Sequence, residues 1–153
     1  MLGKLTRWLR MLGHDVHYYR SKDDKELLEI AESENRIILT RDLALYQQAV
    51  TKEIEAALVE AETVTGKLAN LAGKYDFSLE IDLRISRCPK CNCVIKLLSK
   101  DQTIQQIPKA TSNYFNEFWK CKECDQLYWQ GAHWKNIEKT LKEAKELLNL
   151  DQF

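Results

Sequence analysis

Four of the five cysteines fall in two Cys-x-x-Cys pairs, which give the most specific chemical signal in the sequence. The pairs are Cys88 with Cys91 and Cys121 with Cys124. Two such pairs can arrange four thiolates tetrahedrally around zinc, and four sulfurs complete the coordination of that ion. We therefore predict a structural zinc site with these four ligands, against the alternatives of a redox dithiol or plain buried cysteines. Cys93 is predicted to be a spare thiol.

A second set of candidate residues follows an apolar run at residues 37–39, where Thr40, Arg41 and Asp42 stand together. A short apolar, β-branched run of this kind is typical of a buried parallel strand. The carboxyl ends of parallel strands line the ligand crevice of open α/β sheets, so these three side chains would stand at that crevice. Asp42 also suits the N-cap of the helix that follows, and this structural interpretation stays open.

Two more carboxylates, Asp23 and Asp24, stand at the start of a predicted helix. Acidic side chains at a helix start interact favourably with the helix dipole, which is a structural reason for their presence. In a βα unit they can also converge with Asp42, and a dense group of carboxylates holds magnesium or manganese through oxygen ligands. We expect Asp24 and Asp42, with Asp23 as a neighbour, to form such a site.

Three basic residues, Lys4, Arg7 and Arg10, recur at three-residue intervals on a predicted amphipathic helix. We expect them to share a solvent-facing stripe on that helix. The stripe is either the solvated face of a core helix or a surface that contacts phosphate groups. In the second interpretation, Arg41 and Thr40 would contact the same anionic ligand.

The elements that must position these residues alternate over the first half of the chain. Hydrophobic spacing predicts helices at residues 2–12, 21–34, 42–50 and 63–75, and strands at residues 14–19, 37–39 and 56–59. Alternation of this kind predicts an α/β fold with a parallel sheet and helices on both of its faces. A last amphipathic helix at residues 136–150 is expected to pack on the sheet, on the cysteine-containing segment or on a second subunit.

We predict three regions from this pattern: an α/β domain at residues 1–83, a zinc-ribbon module at 84–134 and a C-terminal amphipathic helix at 135–153. Within the zinc-ribbon module, aromatic residues are interleaved with lysines. This composition is typical of a surface on which single-stranded nucleic acid stacks its bases. The alternative is that the aromatic rings form a small core around the zinc.

Charge and hydropathy narrow the classes of protein to which the chain can belong. Basic and acidic residues balance overall, but basic residues predominate at 1–20 and 84–134 and acidic residues at 21–83. An acidic centre between basic segments suits a metal-using site with an anionic, extended substrate, and chance surface composition is the alternative. The sequence contains no apolar run long enough to span a bilayer and no signal-peptide pattern, so we expect a cytoplasmic protein without a membrane partner.

Several motifs occur in an order that resembles a known family. They lie at residues 1–16, 23–31 and 36–42, and the similarity continues through both cysteine pairs to residues 131–134. These motifs resemble the PIN-like ribonuclease family that is named after the C-terminal domain of the Mut-seven exonuclease. The resemblance implies a PIN-like Rossmannoid sheet joined to a zinc ribbon, and metal-dependent cleavage of RNA. Asp24 and Asp42 match acidic positions of the family, and Asp23 is a neighbour of the first.

The sequence departs from the family pattern at its beginning. Members of the family usually start with a hydrophobic strand that ends in aspartate, and the residues Met-Leu-Gly that follow this strand begin the present sequence. In the resemblance, that strand is central and its aspartate is one of the metal-binding carboxylates. We therefore expect a sheet without its first strand and an acidic site without one of its usual carboxylates.

These observations suggest two functions from different classes, and a third that requires neither RNA nor catalysis. The first is a metal-dependent ribonuclease that cleaves phosphodiester bonds at an acidic PIN-like site, with RNA as its partner and Asp23, Asp24 and Asp42 as catalytic residues. The alternative is a non-catalytic RNA-binding protein, or an adaptor with ribonucleoprotein partners, that retains a degenerate acidic site and a structural zinc. The third is a structural zinc-containing interaction protein that binds no RNA.

Overall fold

The computed structural model describes residues 2–103 and 105–151. In chain order its elements are α1 Gly3–Met11, α2 Asp24–Glu34, β1 Ile38–Thr40, α3 Leu43–Thr51, β2 Ala56–Leu58, α4 Val64–Tyr75, β3 Ile95–Ser99, α5 Lys100–Thr103, α6 Lys109–Tyr114, β4 Glu117–Cys121, β5 Leu127–Tyr128 and α7 Trp134–Asp151. Strands β1 and β2 form a two-stranded parallel sheet, and β3, β4 and β5 form an antiparallel sheet in that order. The prediction of an α/β fold is therefore confirmed at the level of mixed helices and strands with a small parallel sheet.

The two faces of the parallel sheet carry separate apolar clusters because neighbouring residues of a strand point to opposite faces. Ile38 and Ala56 pack with α2 and α3 on one face. Ala57 and Val59 pack with α1, α4 and α7 on the other face. Helices thus cover both faces of β1 and β2, as the alternating pattern predicts.

The C-terminal helix α7 packs against α4. Leu141 and Ala144 are buried in the apolar cluster that α4 also contributes to. The Lys145 Nζ atom lies 2.9 Å from a carboxylate oxygen of Glu80, just beyond the end of α4. Of the three packing partners that the sequence leaves open, the α/β unit is therefore the one that the structure shows.

One predicted strand is wrong. Residues 14–19 form no strand, although Val16 and Tyr18 alternate with polar residues as a strand requires. The backbone groups of Val16 bond to side chains and not to a neighbouring strand. The Val16 N–H donates to Asn92 Oδ1 at 3.0 Å, and the Val16 carbonyl accepts from the Arg10 guanidinium at 2.8 Å. Hydrogen bonds of this kind compete directly with pairing between strands.

The antiparallel sheet has its own small aromatic core. Phe118 and Trp119 in β4 are 0% and 7% exposed, so these two rings serve packing. Tyr114 at the end of α6 is 81% exposed. The structure therefore divides the aromatic residues of this region between core and surface.

Within residues 2–103 and 105–151, no helix has both the length and the apolar composition of a membrane span.

Helix α1 ends in a Schellman motif, which the glycine makes possible. Gly13 adopts φ +97°, its N–H donates to Arg10 O, and the His14 N–H donates to Leu9 O. A Cβ atom at position 13 would lie 2.9 Å from Ile85 Cδ1. Both the backbone conformation and the available space therefore require glycine at this position.

We expect Gly13→Ala to lower the free energy of unfolding by about 1–2 kcal/mol, because alanine is strained in the left-handed region. Urea unfolding followed by circular dichroism measures this loss. Gly3→Ala is the matched control, since a Cβ there would meet the Tyr18 ring at an ordinary 3.9 Å. Equal losses in the two variants would contradict the assignment of strain to position 13.

We also expect His14 to make stability fall at acid pH. The His14 ring packs edge-on against Phe77 at a centroid distance of 4.6 Å, and burial lowers the pKa of His14. The unfolded chain then binds the proton more readily, so stability present above the ordinary histidine pKa is lost as pH falls below it. The free energy of unfolding from pH 8 to pH 5 should decline less steeply in His14→Gln than in the wild type. Parallel pH profiles would contradict this role.

Candidate functional site

The four paired cysteines form one compact cluster. Their sulfur atoms all lie within 4.8 Å of one another. The separation is 3.6 Å between Cys88 and Cys124 and 3.3 Å between Cys91 and Cys121. Disulfide sulfurs are only about 2.05 Å apart, whereas tetrahedral zinc–sulfur bonds of about 2.3 Å place sulfurs about 3.8 Å apart. The geometry is therefore that of a site that could hold a metal ion.

Two turns present these cysteines. In the first, Cys88 N donates to Cys93 O and Asn92 N donates to Cys88 O, both at 2.8 Å, and an isolated antiparallel bridge joins Arg87 to Val94. In the second, Cys121 ends β4 and its N–H donates to Gln126 O at 3.0 Å. The residue after each pair, Asn92 or Asp125, adopts a positive φ. Each turn therefore folds back after its second cysteine.

The surroundings of Cys88 favour its thiolate. Burial opposes ionisation, but the Tyr128 hydroxyl at 3.0 Å and the backbone N–H groups of Cys91 and Lys90 lower the pKa of Cys88 to about 7. Burial raises the pKa of Cys91. A cation among the four sulfurs would stabilise all four as thiolates, and soft sulfur ligands select metals such as zinc. The donor set therefore fits a structural metal.

The predicted acidic residues occupy helix starts. Asp23 is the N-cap of α2, where its Oδ1 accepts from Glu26 N at 2.8 Å in a complete capping box. Asp42 is the N-cap of α3, and its Oδ1 accepts from Ala44 N at 2.8 Å. The structural interpretation of both residues is thus borne out by these contacts, since capping satisfies N–H groups that have no partner within the helix.

Asp24 has a different contact from its neighbour. Its Oδ2 accepts from Gln48 Nε2 at 3.3 Å, which links the start of α2 to the last half of α3. Gln48 is six positions after Asp42, a rise of about 9 Å along a helix axis. Among residues 2–103 and 105–151, the four cysteines are the only group of three or more potential metal ligands, so Asp23, Asp24 and Asp42 do not come together as one such group.

Thr40, Arg41 and Asp42 lie at the carboxyl end of β1 and line a cleft of about 1610 Å³. Thr40 is buried, and its Oγ1 accepts from Asp42 N at 3.0 Å. Arg41 lies 3.7 Å from Glu62, which follows β2. The carboxyl ends of β1 and β2 therefore meet at one edge, where a cation and a carboxylate are already close together.

The basic stripe on α1 is interrupted. Lys4 and Arg7 are exposed, as predicted, but Arg10 is 8% exposed, so the prediction that it faces solvent is wrong. Steps of three residues fall short of a full helical turn by about 60° each, so Arg10 has rotated about 120° away from Lys4. Its guanidinium donates to the carbonyl oxygens of Val16 and Pro89. Arg10 therefore has a structural role.

Sequence reasoning missed four residues around these sites: Arg10 as a buried donor, Asn92, Tyr128 and Glu62. The signal for Glu62 is present in the sequence, because it follows the predicted strand 56–59 as Asp42 follows the run 37–39. The signal for Tyr128 is its place in the strand that leaves the second cysteine pair. Arg10 and Asn92 act on residues more than 70 positions away, so no local pattern indicates them.

Comparison with known proteins adds to this geometry. The family model described as Mut7-C RNAse domain matches residues 1–141, which is most of the chain. No curated protein and no solved structure matches the chain significantly. The match includes both cysteine pairs and the residues at the carboxyl end of β1. The chain therefore belongs to the Mut7-C RNAse domain family.

Proposed function

We propose that this protein is a metal-dependent ribonuclease of the PIN-like type, acting at the carboxyl edge of the parallel sheet. The observation that carries the proposal is that Thr40, Arg41 and Asp42 line a large cleft, in a chain of the Mut7-C RNAse domain family. Ligand crevices of open α/β sheets lie at the carboxyl ends of their strands.

In this proposal Asp42 and Asp24 hold a magnesium or manganese ion, with Asp23 beside Asp24. Such an ion activates water, neutralises phosphate charge and stabilises the leaving oxygen. Helix capping does not exclude this role, because the capping bonds of Asp23 and Asp42 use Oδ1 of each carboxylate and leave Oδ2 for another partner. Asp24 contacts Gln48, in the second half of α3. RNA and metal binding would therefore have to bring the start of α2 closer to the start of α3.

Arg41, Thr40 and the exposed residues Lys4 and Arg7 would hold the RNA backbone. The partner of Arg41 is Glu62, whose side chain is 89% exposed, and ion pairs with so much solvent contribute little. Arg41 can therefore exchange this carboxylate for a phosphate group at small cost. Lys4 and Arg7 would add the salt-dependent attraction that nucleic-acid backbones provide.

We further propose that Cys88, Cys91, Cys121 and Cys124 bind a structural zinc ion and form a zinc ribbon at residues 84–134, between an α/β domain at 1–83 and a C-terminal region at 135–153 that contains most of α7. Zinc would hold together the turn that precedes β3 and the turn between β4 and β5. Cysteine pairs that bind metal suit a reducing compartment, which supports a place in the cytoplasm.

A second function is favoured by one observation. Each predicted carboxylate already accepts a hydrogen bond from another residue of the chain, and the described residues contain no group of three carboxylates close enough to share an ion. This arrangement suits a non-catalytic RNA-binding protein, or an adaptor within a ribonucleoprotein, that retains the acidic positions. Cleavage of RNA is the measurement that separates the two functions.

We expect single-stranded RNA to be cleaved in the presence of magnesium or manganese, and Asp42→Asn to lower the rate at least 100-fold. Asparagine caps helices as well as aspartate, so this variant keeps α3 while it removes the charge. Asp24→Asn should have a similar effect. Asp76→Asn is the control, because Asp76 ends α4 in a left-handed conformation that asparagine tolerates. Full activity in Asp42→Asn would exclude Asp42 from the mechanism, and RNA binding without products would favour the second function.

We expect the wild-type protein to carry one zinc ion per chain, measured by native mass spectrometry and by elemental analysis. Cys88→Ser should lose the zinc and most of the order in β3, β4 and β5, because a closed four-sulfur site depends on each ligand. Cys93→Ser provides the matched control, since Cys93 lies outside the four-cysteine cluster. Equal zinc loss in both variants would contradict the proposed ligand set.

A further inference from the structure

The first cysteine turn is attached to α1 by backbone and side-chain contacts. Arg87 N donates to Arg10 O at 2.9 Å, and the Ser86 hydroxyl donates to Met11 O. Both bonds join residues more than 70 positions apart in the chain. The turn that presents Cys88 and Cys91 is therefore packed on the α/β unit.

Arg10 adds a buried charge to this contact. The guanidinium donates to Pro89 O at 3.0 Å, between the paired cysteines, and to Val16 O at 2.8 Å. A buried cation is costly unless it is well bonded, so these carbonyls are held at the positions that the guanidinium requires. Arg10 thus connects the cysteine turn to the segment that follows α1.

Asn92 makes a second connection from the same turn. Its side chain is buried, accepts from Val16 N at 3.0 Å and donates to Asp15 Oδ1 at 2.6 Å. The other carboxylate oxygen of Asp15 lies 2.9 Å from the Arg36 guanidinium, which stands just before β1. Contacts therefore run without interruption from the cysteine turn to the amino end of β1.

These contacts converge on residues 14–20, which we call the wall segment. The wall segment lines the cleft that Thr40, Arg41 and Asp42 also line. It contains no regular secondary structure, and the backbone groups of Val16 are bonded to Arg10 and Asn92. One side of the cleft thus depends on side chains anchored at the cysteine turn.

We propose that Arg10 and Asn92 are positioning residues that couple the four-cysteine metal site to the wall of the cleft. This inference rests on the proposed binding of metal by the four cysteines. Metal binding at the four cysteines fixes the position of the turn that contains Pro89 and Asn92. That turn then fixes the position of the wall segment. Such coupling is reciprocal. If bound metal strengthens the contacts of Arg10 and Asn92 with the wall segment by some factor, loss of these contacts must lower the affinity for the metal by the same factor.

Asn92→Gly tests the coupling with little change to the backbone, because glycine adopts the φ of +74° at position 92 readily. The full-length, zinc-loaded variant should retain one zinc ion, while amides of the wall segment exchange hydrogen about tenfold faster or more than in the wild type. Its zinc dissociation constant, measured by competition with a chelator of known affinity, should rise about 10- to 100-fold.

Asp125→Gly is the matched control. Asp125 follows the second cysteine pair as Asn92 follows the first and also has a positive φ. Its side chain is 79% exposed and lies 3.6 Å from Lys120 Nζ. Hydrogen exchange in the wall segment and zinc affinity should both stay within about twofold of the wild type, as expected for an exposed ion pair.

Arg10→Gln tests the connection through Arg10 independently, and Arg7→Gln is its control on the same helix. Like Asn92→Gly, Arg10→Gln should speed hydrogen exchange in the wall segment and raise the zinc dissociation constant. Failure of the wild type to bind zinc would overturn the proposed metal site together with this inference. Bound zinc with an unchanged wall segment and unchanged affinity in Asn92→Gly and Arg10→Gln would overturn the inference alone.

Discussion

The burial of Arg10 is the constraint from which much of this structure follows. A guanidinium cannot lose its water without other acceptors, and Arg10 bonds to the carbonyl groups of Val16, six positions later, and of Pro89, 79 positions later. The acceptors on the cysteine turn and at Val16 are consequently brought to one place. This explains why residues 14–19 form no strand, and why the cysteine turn is packed on α1.

The acidic residues show how stability and chemistry can use the same side chains. Asp23 and Asp42 satisfy the N–H groups at the starts of α2 and α3, so each would be retained by folding alone. Each cap leaves one carboxylate oxygen for other partners, and Asp42 is among the residues that line the cleft. The same residue can thus serve the helix and a bound ion, which is the basis of the proposed function.

Parallel pairing of β1 with β2 determines which residues meet at that cleft. Because both strands point the same way, the residues that follow them emerge at one edge of the sheet. Arg41 and Glu62 come together there across 21 positions of sequence. This edge therefore carries a carboxylate that follows β2, Glu62, as well as one that follows β1, Asp42, and hydrophobic patterning alone did not single out Glu62.

Local sequence determined most of the elements and the four cysteines that cluster. Spacing of apolar residues predicted six of the helices and strands around the cleft, because amphipathic periodicity is a local property, and the two Cys-x-x-Cys pairs indicated one shared site. Tertiary structure alone decided that Arg10 is buried, that residues 14–19 bond to side chains, and that α7 packs on α4. These outcomes depend on partners far away in the chain, such as Asn92 and Pro89, and a pattern of neighbouring residues contains no information about which distant groups satisfy a buried donor.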